Sequence, residues 1–173
     1  AAPLSAKDLA VCMGSAFAVS HGLCHGFAMS GQKKRVVGVM GDSTFFHTGI
    51  NSLTEVSYNQ SPSICVILDN RITGMTGHQE NPGTGYTIKG EPTTLIDIET
   101  VVRALGLKHV RTVNPLDLKA MKETLDWAFA IEDAPSVIIT KWPCVLKKFS
   151  KEDKEEFDMN RTPCVVDEKT CIG

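Results

Sequence analysis

Short runs of apolar, mostly β-branched residues constrain the fold of this chain more than any other feature. The strongest runs lie at residues 36–40, 63–68 and 136–140, and a weaker one lies at residues 108–112. None alternates cleanly between apolar and polar residues, which is typical of parallel strands covered on both faces. Between and around the runs, helical patterns occur at residues 14–30, 48–59, 97–106 and 115–131. This order predicts an α/β fold, a three-layer α/β/α domain with a mainly parallel sheet.

The composition excludes several classes of protein. The formal net charge is −2, without the concentrated basic surface that a nucleic-acid partner requires. No apolar stretch approaches the roughly 20 residues of a membrane helix, and the first residues lack the pattern of a signal peptide. The six cysteines are too scattered to predict a disulfide framework. We therefore expect a cytoplasmic protein with neither a nucleic-acid nor a membrane partner.

The carboxyl ends of the predicted strands direct attention to the residues that follow them, because ligands bind there in open α/β sheets. The first strand is followed by Gly41, Asp42, Ser43 and Thr44, directly before a helix. A carboxylate beside helix N-terminal N–H groups suits a Mg²⁺ ion together with a phosphate. Taken alone, Gly-Asp-Ser at a strand end is more often an ordinary turn and helix cap.

The next strand along the chain supplies a second set of oxygen ligands. It ends in Asp69 and Asn70, and Asn70 lies 28 positions after Asp42 (70 − 42), which leaves room for one helix and one strand. Neighbouring parallel strands would present Asp42 and Asn70 to the same ion. Mg²⁺ prefers few protein ligands, with phosphate oxygens and water completing its octahedron. A carbonyl group from the turn after Asn70 would suit such a site.

These two strand ends resemble the motif of the thiamine-diphosphate enzymes, which begins with Gly-Asp-Gly or Gly-Asp-Ser and ends with Asn about thirty residues later. The resemblance implies the diphosphate-binding module of the thiamine-diphosphate-binding fold. It implies that Asp42, Asn70 and the carbonyl of Ile72 bind Mg²⁺. It further implies that the diphosphate of the cofactor is lined by Gly41, Ser43, Thr76 and Gly77.

Longer stretches resemble one branch of that family, the indolepyruvate-type 2-oxoacid:ferredoxin oxidoreductases. The similar stretches are residues 41–49 and 70–79, followed by Asn81-Pro82-Gly83. Upstream, Cys12, Met13 and Gly14 resemble the loop that these enzymes fold around the cofactor, with Met13 and Gly14 nearer the thiazolium ring. The likeness covers most of residues 12–140.

The resemblance also implies a reaction. A 2-oxoacid, expected to be an aryl pyruvate such as indolepyruvate, is oxidatively decarboxylated to CO₂ and an acyl group that coenzyme A receives. Ferredoxin accepts the electrons through 4Fe–4S clusters. Two alternatives remain open: another thiamine-dependent enzyme, such as a non-oxidative 2-oxoacid decarboxylase or an acetolactate-synthase-like protein, or a non-catalytic domain that binds nucleotides or phosphate.

Four histidines are candidates for chemistry or metal binding. His47 lies five positions after Asp42 and could transfer a proton to the substrate, although a packing or capping role is equally consistent with its position. His78 could face the diphosphate or lie in an exposed loop. His21 and His25 are one helical turn apart, a spacing that can bind zinc, but the glutamate of zinc-protease motifs is absent.

The domain organisation follows from a change in composition near residue 145. We expect residues 1–145 to form the cofactor domain and residues 146–173 to form a charged surface helix and a tail that leads toward a ferredoxin-like segment. Cys164 and Cys171 resemble the start of a cluster-binding run, but one cluster needs four thiolates. We therefore expect the 4Fe–4S clusters to belong to the intact enzyme and not to this chain. The pyrimidine-binding domain, the ferredoxin-like domain and a second subunit would come from elsewhere, and the chain alone would be inactive.

Overall fold

The computed structural model describes residues 6–157 and 165–171, and its centre is a four-stranded sheet in which every pairing is parallel. The strands are β1 (Val37–Gly41), β2 (Ile64–Asp69), β3 (His109–Val113) and β4 (Ser136–Lys141). Each lies within one residue of its predicted bounds. The spatial order is β1-β2-β4-β3, so the two strands that carry the predicted metal ligands are neighbours.

The helices also follow the sequence pattern, with differences at their starts. They are α1 (Ala16–Met29), α2 (Asp42–Thr44), a π-helix (Phe45–Gly49), α3 (Ile50–Tyr58), α4 (Ile98–Ala104), α5 (Leu118–Ala130) and α6 (Lys151–Glu156). The helix predicted from residue 115 begins at Leu118, because Asp117 caps it by accepting a hydrogen bond from the Ala120 N–H at 2.9 Å. Within the described ranges, no helix has both the length and the apolar character needed to cross a membrane.

The helices cover the sheet from both sides. One core packs α1, α3 and α4 against the sheet and includes Phe17, Leu53 and Val102, which are fully buried. The other core packs α5 against the opposite face and contains Ile138 and Ala128. Burial on both faces explains why the strands lack apolar–polar alternation. The structure therefore confirms the three-layer α/β/α arrangement.

The charged segment after residue 145 forms the predicted helix, α6, but this helix is not only a surface element. Ser150 and Asp153 form a reciprocal capping box at its start, and the Asp153 side chain is fully buried. Just beyond the helix, the Phe157 ring packs edge-on against Trp142 with 5.5 Å between centroids. Cys171 is exposed, whereas Cys164 lies outside the described residues. The domain boundary at residues 145/146 remains a prediction.

Candidate cofactor site

The site is built around Asp42, which is the first residue of the helix that follows β1. Its side chain is only 3% exposed. One carboxylate oxygen, Oδ1, accepts a hydrogen bond from the Ser43 N–H at 2.7 Å. The other, Oδ2, accepts one from Nδ2 of Asn81 at 3.3 Å. Asp42 is therefore a buried carboxylate held at the carboxyl end of β1.

The neighbouring strand end brings the other predicted metal ligands to the same place. Gly41 at the end of β1 is in register with Leu68 of β2, so Asp69 and Asn70 emerge beside Asp42. The Ile72 N–H donates to Oδ1 of Asn70 at 3.1 Å, and it also lies within hydrogen-bonding reach of the Asp42 carboxylate. The structure thus brings Asp42, Asn70 and Ile72 together.

Two buried carboxylates lie close together at this edge of the sheet. Burial raises the pKa of Asp42, although hydrogen bonds from Ser43, Asn81 and Ile72 oppose the shift. The pKa of Asp69 is raised to about 6, first by burial and then by the charge of Asp42, with Arg71 opposing. A divalent cation would balance this concentration of negative charge. Carboxylate, amide and carbonyl oxygens are the ligands that Mg²⁺ takes, so the residues present fit that ion.

The residues predicted to line the diphosphate fall into two groups. Ser43 is part of the Asp42 cluster, where its Oγ accepts a hydrogen bond from Oγ1 of Thr73 at 2.9 Å. Gly41 is partly buried at the end of β1. Thr76 and Gly77 lie instead at the exposed tip of a short hairpin that closes at Thr73 and Gln79. They lie on the same hairpin as Thr73, which donates to Ser43.

The predicted thiazolium-side loop lies beside the π-helix. A Cβ atom on Gly14 would lie 2.0 Å from Oγ1 of Thr48, so the loop crosses the helix in direct contact with it. Cys12 and Met13 are exposed on the same loop. His47 is exposed on the π-helix, next to Thr48. Short π-helical segments are frequent at functional sites, and this one begins three residues after Asp42.

Two residues of the cluster are missing from the set predicted from sequence. Asn81 is 6% exposed, donates to Asp42, and accepts a hydrogen bond from the Gly83 N–H at 2.9 Å. Asp69 is 7% exposed and accepts a hydrogen bond from the Arg71 N–H at 3.1 Å. The only sequence signals were the Asn-Pro-Gly turn at residue 81 and the position of Asp69 directly before Asn70.

His21 and His25 lie away from this site, whereas His78 lies on the hairpin that closes at Thr73 and Gln79. Nδ1 of His21 and Nε2 of His25 lie 2.5 and 3.0 Å from Oγ of the buried Ser61, before the amino end of β2. In the described part of the chain, no three or more His, Cys, Asp or Glu side chains form a group that could hold a metal ion. His78 is exposed on the hairpin, where its φ is +66°.

Comparisons with known proteins identify the family of this chain. The family described as "Thiamine pyrophosphate enzyme, C-terminal TPP binding domain" matches residues 4–140. The indolepyruvate oxidoreductase subunit IorA of Archaeoglobus fulgidus is 40% identical over 144 residues, which are 83% of this chain and 22% of the relative. The same subunit from Pyrococcus horikoshii is 39% identical over 183 residues, covering 99% of this chain and 27% of the relative.

Solved structures share the fold. A 2-oxoglutarate:ferredoxin oxidoreductase from Magnetococcus marinus, with 2-oxoglutarate, coenzyme A and succinyl-CoA bound, superposes with a TM-score of 0.64 at 20% identity, over 83% of this chain and 50% of that one. Benzoylformate decarboxylase from Polynucleobacter necessarius gives a TM-score of 0.59 at 23% identity, over 79% of this chain and 25% of that one.

The matches identify the family and show how much of its members this chain covers. The chain spans about a quarter of the length of the curated relatives, 22% and 27% in the two cases above. The family match extends from before α1 to β4 and includes both strand ends that carry the acidic cluster. The chain belongs to the thiamine pyrophosphate enzymes and represents their C-terminal TPP-binding domain.

Proposed function

We propose that this chain is the diphosphate- and magnesium-binding part of an indolepyruvate-type 2-oxoacid:ferredoxin oxidoreductase. The observation that carries the proposal is the pair of buried carboxylates, Asp42 and Asp69, where β1 and β2 end side by side. The oxidoreductase type is supported by relatives that bear the name indolepyruvate oxidoreductase subunit and align with 83% to 99% of the chain.

The metal would be held by the Asp42 carboxylate, the Asn70 side-chain oxygen and the Ile72 carbonyl. Asn81 keeps the Asp42 carboxylate oriented through its Nδ2–H, and the Asn70 side chain is already fixed by the Ile72 N–H. A site whose ligands are held in place before the ion arrives loses little conformational entropy on binding. Asp69 adds negative charge that favours a divalent cation without being a ligand itself.

The cofactor would lie along the surface above these ligands. Gly41, Ser43, Thr76 and Gly77 would line its diphosphate, while Cys12, Met13 and Gly14 would lie near its thiazolium ring. Thiamine diphosphate, when bound, supplies the carbon nucleophile and the electron sink for decarboxylation of a 2-oxoacid. Because Gly14 has no side chain, the loop can lie directly against Thr48, and this contact would keep Met13 beside the π-helix.

His47 is the proposed catalytic residue. It is exposed on the π-helix, on the same segment that contacts Gly14. An imidazole there could hold or donate a proton at the carbonyl or carboxylate oxygen of the substrate. A variant with His47→Asn should therefore retain cofactor binding and lower kcat of the full-length protein.

The substrate and partners are proposals for the whole protein. We propose an aryl pyruvate as substrate, coenzyme A as acyl acceptor, and ferredoxin as electron acceptor through 4Fe–4S clusters outside this chain. A pyrimidine-binding domain, a ferredoxin-like domain and a second subunit would complete the enzyme in the cytoplasm. The chain alone, at about a quarter of the relatives' length, would reduce no viologen dye with a 2-oxoacid and coenzyme A.

A ligand panel tests the proposal against a nucleotide-binding module. Calorimetric titration in Mg²⁺ would compare thiamine diphosphate with thiamine monophosphate and ADP. We expect thiamine diphosphate to bind more tightly than ADP. Asp42, Asn70 and Ile72 would hold the metal for either diphosphate, whereas Met13 and Gly14 would contact a thiazolium ring that ADP lacks. Equal or tighter binding of ADP would contradict the proposal.

The oxidative reaction needs the full-length protein. Viologen reduction would be measured with indolepyruvate, pyruvate and 2-oxoglutarate in the presence of coenzyme A. Coenzyme-A-dependent reduction that is fastest with the aryl pyruvate is expected. Release of CO₂ and an aldehyde without dye reduction would favour the non-oxidative decarboxylase alternative.

A further inference from the structure

The turn that carries the proposed metal ligands contains an unusual arginine. Arg71 lies between Asn70 and Ile72, and its φ of +60° is in the left-handed region that non-glycine residues rarely adopt. Its side chain is nevertheless only 5% exposed. A long charged side chain is rarely buried unless it is paired. Arg71 therefore has a specific anchor inside the protein.

That anchor is helix α6. Nε of Arg71 lies 3.7 Å from Oδ1 of Asp153, and its NH1 lies 3.7 Å from Oε2 of Glu156. Asp153 is fully buried, and its other oxygen accepts a hydrogen bond from Nζ of Lys147 at 2.6 Å. Burial opposes ionisation of Asp153, but the hydrogen bonds from Lys147 and Ser150 and the charges of Lys147 and Arg71 lower its pKa. Asp153 thus faces Arg71 as a carboxylate.

The same helix is fixed to the domain at further points. Oε2 of Glu152 accepts a hydrogen bond from the Tyr86 hydroxyl at 2.9 Å, and Glu156 also pairs with Lys141. The backbone of the turn is held from the same direction: the Trp142 N–H donates to the Asp69 carbonyl at 3.0 Å and the Cys144 N–H to the Asn70 carbonyl at 2.9 Å. The segment from residue 142 to α6 therefore holds the turn through both its backbone and Arg71.

We infer that Arg71 and Asp153 are positioning residues through which α6 holds the Asn70–Ile72 turn in its metal-binding conformation. Moving α6 would withdraw the carboxylate that fixes Arg71 and would let the strained turn relax. The metal role rests on the proposed function, whereas the anchoring of the turn by α6 does not.

Hydrogen exchange and calorimetry on this chain test the inference together. In Asp153→Asn, the hydrogen-bonded amides of Arg71 and Ile72 in the turn should exchange about tenfold faster, while β2 amides keep their protection. Thiamine diphosphate in Mg²⁺ should bind about tenfold more weakly, which corresponds to about 1.4 kcal/mol. The control is Glu155→Gln, a charge change on the same helix at a side chain that is 66% exposed.

Substitutions of the other ion-pair partners test the inference even if Asp153→Asn does not fold. Glu156→Gln removes a partly exposed partner of Arg71 and should show a smaller change of the same kind if Asp153→Asn does not fold. Arg71→Met should reproduce the effect, and adding Asp153→Asn to it should change the exchange of the turn little further.

Unchanged exchange in the turn, or a uniform increase that includes β2, would overturn the inference. Thiamine diphosphate binding that is absent already in the unsubstituted chain would count against the proposed function. The exchange measurement would still decide whether α6 anchors the turn.

Discussion

Substituting Gly14 by alanine should break the contact between the π-helix and the loop that we place beside the thiazolium ring, and should destabilise the protein. Gly14 has a φ of +90°, and a Cβ atom there would lie 2.0 Å from Oγ1 and 2.8 Å from Cβ of Thr48. Gly31 is the matched control, because its φ is +72° and nothing lies within 4 Å of its added Cβ. The two substitutions share the backbone strain, and only Gly14→Ala adds the steric conflict.

The expected destabilisation can be worked from these contacts. Left-handed backbone costs an alanine about 1–2 kcal/mol, and the reduced entropy of the unfolded chain returns about 0.4–1 kcal/mol. Gly31→Ala should therefore lower the free energy of unfolding by about 1 kcal/mol. Gly14→Ala adds overpacking of about 1–3 kcal/mol, for a total of about 2–4 kcal/mol.

Urea unfolding followed by circular dichroism measures both values, and a double-mutant cycle isolates the steric part. In a Thr48→Gly background, the nearest remaining atom to the new Cβ is Cγ2 of Thr44 at 3.7 Å, an ordinary contact. Gly14→Ala should then cost about as much as Gly31→Ala does. A steric conflict with Thr48 is contradicted if Gly14→Ala destabilises the protein no more than Gly31→Ala does, or if Thr48→Gly leaves the cost of Gly14→Ala unchanged.

Three further predictions concern stability and thiol chemistry. Gly26→Ala should stabilise the protein by about 0.5–1 kcal/mol in urea unfolding, because this position inside α1 has open space for a methyl group. Asp97→Ala should cost about 1 kcal/mol by removing the cap that accepts the Thr100 N–H. Burial acts to raise the pKa of Asp97, but the hydrogen bonds from Thr100 outweigh it and lower that pKa. The contribution of Asp97 to the free energy of unfolding should therefore be complete above about pH 4 and lost as the pH falls further. Burial raises the pKa of Cys65 from its usual value near 9 to about 12, so the free energy of unfolding should fall as the pH rises from 9 to 12. At pH 8, iodoacetamide should label the exposed Cys12 and leave the buried Cys65 unmodified.

The sequence was sufficient to predict the layers and the strands of this fold. Parallel strands buried on both faces leave a local signal, and all four strands were found within one residue of their predicted bounds. The start of the second helical stretch was less predictable. It was predicted from residue 48, whereas the chain becomes helical at Asp42 and passes through a π-helix before α3. Tertiary contacts of Gly14 and Gly83 with this segment accompany that irregular geometry, and no local pattern reports them.

The candidate site was predictable where its members are close to a strand end. Asp42 and Asn70 were found from their positions after two strands and Ile72 from the family resemblance, and the structure brings the three together. Asn81 reaches Asp42 across 39 positions through the fold of a long loop, so spacing could not identify its contact. The buried charge of Asp153 was likewise hidden in a run of charged residues that is typical of a solvated helix face.

The proposed metal site is tested most directly by a calorimetric titration of thiamine diphosphate into this chain with Mg²⁺, then with EDTA, repeated on Asp42→Asn. This substitution preserves the shape of the side chain and removes its charge. We expect binding that requires Mg²⁺ and that Asp42→Asn abolishes. Binding that persists at the same affinity in EDTA or in Asp42→Asn would contradict the metal site at the ends of β1 and β2.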